Sequence, residues 1–229
     1  MRFFRKLFQG KASDEPADPG SEIAAVRARL EDRLPGSPDA ARLSNQLADL
    51  ELARGNRDAA LRHYGQSIDA HMELGQFDAA GAICRKLLRL LPDVVRARCT
   101  LAWLSIGKAL FEPAAAYVDE YVEVANAAGR AEFARQQLRL MGQCVADPSF
   151  RLHLAKKLRE LDDEEGAAAI EAKGAGEHSN PAEIGWNPVV FAALLTPEEL
   201  EEARERNLDL RSPSGSPDDD FPIYRPTDS

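Results

Sequence analysis

Residues Leu74–Pro92 read LGQFDAAGAICRKLLRLLP. Gly75 stands near its start and Pro92 closes it, and between them Ile83, Leu87, Leu88 and Leu91 recur at the spacing of one helical face. The run is apolar over more of its circumference than a lone surface helix can hide. Such a helix has to lie against others, and the rest of the chain supplies them in regular order.

Of the 229 residues 44% are apolar, enough for a genuine core, and aromatics are scarce at 7%. Alanine, leucine and arginine are abundant, a bias toward helix because unbranched side chains lose little rotamer freedom there. No run of 18 or more uncharged apolar residues occurs, and the basic start MRFFRKLFQGK lacks the long apolar stretch and cleavage site of a secretory signal. Cys84, Cys99 and Cys144 lack metal-type spacing and fall inside apolar helical patterns, which predicts buried reduced thiols in a cytoplasmic protein. The net charge of -9 is unevenly spread. Residues 1–12 carry four basic and no acidic residues, residues 36–173 carry 18 basic and 20 acidic, and residues 174–229 carry 12 acidic and 4 basic. A nearly neutral body thus stands between a basic and an acidic end.

Ser21 is placed to cap a helix carrying Ile23, Val26, Leu30 and Leu34, stopped by Pro35–Gly36. Ser37 with Pro38 starts a second, since proline at the first helical position forfeits no hydrogen bond. That helix runs to about Arg54, the next covers about Arg57–Leu74, and the quoted helix follows. Further helices are predicted at about Val94–Lys108, Pro113–Ala128, Arg130–Val145, Ser149–Leu161 and Glu164–Lys173. The joints Gly55, Gly75, Ala109 and Gly129 are separated by 20, 34 and 20 residues. Laying residues 41–94 over 95–148 matches Arg42 with Arg96, Leu47 with Leu101, Ala48 with Ala102, Ala60 with Ala114, Gly75 with Gly129, Ala80 with Ala134 and Arg85 with Arg139. With the register shortened by one, Leu154, Ala155 and Ala167 begin a third copy. A repeat of about 54 residues and three helices marks a stacked array, in which each unit covers its neighbour's apolar face.

Leu47-Ala48 with Gly55 and the Ala60-x3-Tyr64 pair, Gly75 with Ala80-x3-Cys84 and Pro92, and Leu101-Ala102 with Ala114-x3-Val118 resemble tetratricopeptide repeats over roughly residues 38–173. The family's first bulky aromatic is Ser44 or Arg98 here, and its later tyrosine is Glu51 or Ser105. The resemblance implies an all-α fold, a right-handed α-solenoid of stacked antiparallel helices, with a groove for a peptide or helix of a partner. Depending on which layer lines that groove, it implies contacts at Arg96, Cys99, Trp103 and Ile106, or at Arg42, Asn45, Asp49 and Leu52. Trp103 is either a core contact or a binding anchor.

The chain divides into a basic, aromatic segment and linker over 1–20, a helical repeat domain over 21–173, and an acidic Pro/Ser-rich tail over 174–229 with a short helix near 197–206. In RFFRKLF, Phe4, Leu7 and Phe8 share one side with Phe3 beside them, among Arg2, Arg5 and Lys6. Aromatic anchors in a basic setting suit the headgroup region of an anionic membrane at its inner face; packing on the first helix, or a disordered end, are the alternatives. In the tail, Trp186, Val190, Phe191, Leu194 and Leu195 belong to the main apolar cluster. This is read either as a cover for the open end of the array or as a docking peptide. The last residues read as disordered, with Phe221, Ile223 and Tyr224 after three aspartates as candidate anchors.

No glycine-rich phosphate loop, G-x-S-x-G or H-E-x-x-H occurs. His63 and His71, eight residues apart on one predicted helix, would stand about 12 Å apart, too far to share a metal. Asp162, Asp163, Glu164 and Glu165 sit at a joint, where they suit capping and the helix dipole. No catalytic residue, metal or cofactor is expected, and with no basic stripe in the body no nucleic-acid partner is expected either. The sequence predicts a non-catalytic scaffold or adaptor for a protein or peptide. A membrane-surface assembly factor and a self-assembling structural protein are the alternatives.

Overall fold

The computed structural model describes residues 19–34 and 36–172. Among them it forms nine helices and no strand. They are α1 (Pro19–Glu31), α2 (Pro38–Ala53), α3 (Arg57–Glu73), α4 (Phe77–Leu90), α5 (Val95–Gly107), α6 (Phe111–Ala127), α7 (Ala131–Cys144), α8 (Pro148–Glu160) and α9 (Glu164–Ala172). The bounds differ from the sequence reading in three helices: α1 begins ahead of Ser21 and stops at Glu31, leaving Leu34 outside it and 80% exposed, α6 begins at Phe111, and α8 begins at Pro148 behind its cap Asp147. Pro113 is the third residue of α6, still within the first turn whose N–H groups have no helical partner, so proline is tolerated there. Ser37 and Asp147 cap α2 and α8 through their side-chain oxygens, which accept from Ala40 N–H at 3.2 Å and Phe150 N–H at 2.7 Å.

One joint is used five times. Gly55, Gly75, Ala109, Gly129 and Asp162 all have left-handed backbone, with φ of 81°, 68°, 54°, 69° and 59°. At each, the next residue's N–H turns back to a carbonyl five positions earlier, as in Asn56 to Glu51 at 2.9 Å, Leu110 to Ser105 at 2.9 Å and Asp163 to Leu158 at 2.9 Å. This is the Schellman closure, which satisfies the helix's last carbonyls and reverses the chain within three residues. Gly55, Ala109 and Asp162 follow one another at 54 and 53 residues, and Gly75 and Gly129 at 54. The backbone therefore repeats with the period seen in the sequence, including the one-residue shortening.

Consecutive helices pack on one another, most closely in the pairs α2–α3, α5–α6 and α8–α9, each tied by one of these joints. Contacts two helices apart add α5–α7, α6–α8 and α7–α9. The matched alanines Ala48, Ala60, Ala80, Ala102, Ala114 and Ala134 are all fully buried, so they mark places where helices approach closely.

The core is not one cluster but three in chain order. Ile23, Val26, Leu43 and Leu47 join α1 to α2. A second cluster runs from Ala48 to Leu104 and a third from Val95 to Ile170. Both larger clusters use α5: Ala97, Leu101 and Leu104 face the second, while Cys99, Ala102, Trp103 and Ile106 face the third. Eleven of the thirteen α5 residues are buried, the pattern of a helix enclosed on all sides.

At Ala109 the left-handed backbone crowds a Cβ against the following carbonyl. Ala109→Gly is expected to stabilise the protein by about 0.5–1 kcal/mol, read as a higher midpoint in urea unfolding. Gly75→Ala is expected to lower it by a similar amount.

Candidate functional site

Where α5 ends, its neighbours α4 and α6 stand apart and leave a cleft of about 180 Å³. Leu101, Leu104 and Ser105 of α5 form its floor. Phe77, Asp78, Gly81 and Arg85 of α4 make one wall, and Leu110, Pro113 and Tyr117, at and within the start of α6, make the other. Gly81 keeps the cleft open although it sits in mid-helix, where glycine is intrinsically unfavourable. A Cβ there would lie 3.3 Å from Arg85 Nη1 and 3.4 Å from Leu104 Cδ1. Tyr117 packs on both of the larger clusters, so it bridges the cleft at depth.

Two cations serve this cleft. Lys108, at the C-terminal end of α5, is paired with Asp78 across the rim, and that partner holds the Asp78 carboxyl below its usual range. Arg85 is exposed on the α4 wall and forms no ion pair among the described residues. Leu110 remains 49% exposed beside them, so apolar surface and positive charge share one opening.

The two predicted contact sets fare differently. Arg96, Cys99, Trp103 and Ile106 are buried in the third cluster or against it, with exposures of 1%, 0%, 5% and 6%. They line no open groove, because α6 and α7 cover that side of α5. Trp103 Nε1 donates to Gln137 Oε1 at 3.0 Å, and the Cys99 thiol approaches the same oxygen at 3.8 Å. The Arg96 guanidinium lies 3.9 Å over the Phe133 ring. Burial pushes Arg96 down to about 10 and the Cys99 thiol up to about 11, each shift favouring the neutral form. Trp103 is thus a core residue with a satisfied N–H, not a binding anchor.

The α2 set is accessible. Arg42 is exposed and pairs with Asp39 at 3.2 Å, while Asn45, Asp49 and Leu52 are half-buried. Asp49 accepts from the Tyr64 hydroxyl at 2.5 Å and from Lys86, which also reaches Asn45 at 3.3 Å and stands 5.2 Å over the Tyr64 ring. These polar groups satisfy one another between α2, α3 and α4. This face is a tie between helices, and the less committed groups are in the α4–α6 cleft.

All three cysteines are buried free thiols. His63 and His71 bond to Gln66 at 2.9 Å and Gln76 at 2.7 Å, and His153 lies 3.0 Å from Asp119. Among the described residues no group of three His, Cys, Asp or Glu could hold a metal ion, and no helix is long and apolar enough to cross a membrane. The membrane-contact residues Arg2, Phe3, Phe4, Arg5, Lys6, Leu7 and Phe8 lie outside the described residues, as do Trp186, Val190, Phe191, Leu194 and Leu195.

The cleft was not among the predicted contacts, yet two signals for it were in the sequence. One is a glycine in the middle of the most amphipathic stretch. The other is that Arg85 matches Arg139 while the acid near Arg139's end of the array, Asp163, matches Leu110. Compared with known proteins, the chain matches no family model and no curated protein.

Two outcomes are expected. Trp103→Phe removes the bond to Gln137 and is expected to cost about 2 kcal/mol in urea unfolding, with no change in ligand binding; a binding loss without a stability loss would return Trp103 to a surface role. Hydrogen bonds from Arg139 hold the Asp163 carboxyl below the usual range. A depressed folded value adds stability that is complete above the unfolded pKa of about 3.9 and is lost as pH falls through the folded value. Asp163→Asn is therefore expected to cost about 1 kcal/mol at neutral pH, near the low end because Arg139 is half exposed. The gap to the parent should close as unfolding is measured at progressively lower pH below about 4.

Proposed function

We propose that this protein is a non-catalytic adaptor, a right-handed tetratricopeptide-like solenoid that holds a peptide or helix of a partner protein in the α4–α6 cleft. The observation that carries the reading is the cleft itself: a largely apolar floor, a mid-helix glycine whose missing side chain would press on Arg85 and Leu104, and Arg85 with Lys108 at its walls. A cleft built between packed helices is ordered before its ligand arrives, so less of the contact energy is spent on ordering at the moment of binding. The flanking residues suit recognition of an extended or helical segment, with aromatic and aliphatic side chains for its anchor and cations for its polar flank.

The next unit supplies the variant that tests this. Where α4 has Gly81, α7 has Arg135, whose Nε donates to the Leu161 carbonyl at the end of α8 at 2.7 Å. Gly81→Arg is expected to reach the corresponding end of α5, where a cation is favourable, and to fill the cleft without unfolding the chain. Affinity capture with the full-length protein is compared with capture by Gly81→Arg and by a control substitution on the far side of α6, Glu123→Gln. Partners retained by the parent and the control but reduced at least tenfold with Gly81→Arg are the expected result. An identical captured set for all three, with unfolding curves showing each chain folded, would remove the cleft as the adaptor surface.

A further inference from the structure

The α4–α5–α6 cleft has a sister in α7–α8–α9, which carries a carboxylate and a second arginine that the cleft lacks. Helices α4 and α7 begin at Phe77 and Ala131, 54 residues apart, and α6 and α9 begin at Phe111 and Glu164, 53 apart. On those offsets Arg85 corresponds to Arg139, Gly81 to Arg135, Leu110 to Asp163 and Pro113 to Gly166.

The sister site is filled from within. Arg139 donates to both oxygens of Asp163 at 2.7 and 2.6 Å, a planar two-point pairing. Gly166 N–H donates to the same carboxylate at 3.0 Å, and a Cβ at Gly166 would lie 2.3 Å from it, so glycine is what lets the backbone come so near. Arg135 occupies the space beside them. In the α4–α6 cleft the arginine is kept, while leucine stands at the position of the acid and glycine at the position of the filler. Asp78, the acidic group in the lining, is hydrogen-bonded to Lys108 and feels Arg85 only through its charge, without the two-point pairing that Asp163 gives Arg139.

We propose that the α4–α6 cleft receives a carboxylate from outside the helical body, paired with Arg85 as Asp163 is paired with Arg139, and that its occupant is the chain's own segment Asp218–Tyr224. That segment reads DDDFPIY, three successive carboxylates followed directly by Phe221, Ile223 and Tyr224, the combination of charge and apolar side chains that the cleft complements. It belongs to the part of the chain with 12 acidic and 4 basic residues, opposite in sign to Arg85 and Lys108. Asp218 follows Ala172 by 46 residues, whose extended length of up to about 150 Å far exceeds the few helix diameters separating α9 from the cleft. Resting on the adaptor reading, this makes the tail a competitor of the partner for one site.

The probe is a fluorescein-labelled peptide of residues 216–226, titrated at low ionic strength and followed by anisotropy. The target is the full-length chain with Asp218→Asn, Asp219→Asn and Asp220→Asn, so that its own segment no longer competes. Saturable binding is expected. It should weaken at least tenfold with Arg85→Gln, recover in part with Arg85→Lys, and weaken similarly when the peptide's aspartates become asparagines. The unaltered chain should bind the peptide at least fivefold more weakly than the neutralised one. Arg85 is exposed, so its variants are expected to unfold at the parental urea midpoint. Binding that ignores Arg85→Gln, or is equal for the unaltered and neutralised chains, would overturn the inference. A partner lost with Gly81→Arg while the tail peptide fails to bind overturns it and leaves the adaptor reading standing; failure of both removes both.

Discussion

The structure depends on α5 being shared. A helix with eleven buried residues in thirteen has no outer face, and its two sides belong to different clusters. Leu101 and Leu104 complete the packing begun by α2, α3 and α4, while Trp103 and Ile106 begin the packing continued by α6, α7 and α8. Removing apolar surface from water on both sides at about 25 cal/mol per Å² couples the two halves more firmly than any of the surface ion pairs can. Within that interior the Trp103 N–H is matched to Gln137, because an unpaired buried donor would cost more than the bond returns.

Repetition sets the geometry around that wall. The same three-residue closure returns at Gly55, Ala109 and Asp162 and at Gly75 and Gly129, so equivalent helices leave each joint in the same way. What varies is what fills the space between them. In α7–α9 it is Arg135, with Arg139 gripping Asp163; in α4–α6 it is open space over Leu101 and Leu104. Neighbouring units of one repeat thus differ by omission: small or apolar residues stand at positions where the next unit carries its own bridge.

Much of this was legible in the residues. Gly and Pro punctuation located the joints, helical periodicity located nine helices among the described residues, and the 54-residue match of Arg42 with Arg96 and Gly75 with Gly129 foretold the backbone repeat. The choice of contact set was less legible, because it depends on which side of α5 is covered. Both faces of VRARCTLAWLSIG are apolar, so its periodicity carries no direction, and only the packing of α6 and α7 reveals that Cys99 and Trp103 lie inside. Pro113 does not fix the start of α6, because any position in the first turn accepts proline, and the helix begins two residues ahead of it. Gly81 is hard to read in sequence because a glycine within a helix is ordinarily a cost, and its place is visible only beside Arg85, Leu104 and the matching Arg135.

The account stands on two consecutive cores meeting at one enclosed helix, and native-state hydrogen exchange of the full-length protein tests it most directly. Backbone amides of residues 95–106 should exchange most slowly of all, with protection falling off step by step toward α1 in one direction and α9 in the other. If α5 amides exchange no more slowly than those of α2 or α9, the shared wall does not exist in solution and the account fails.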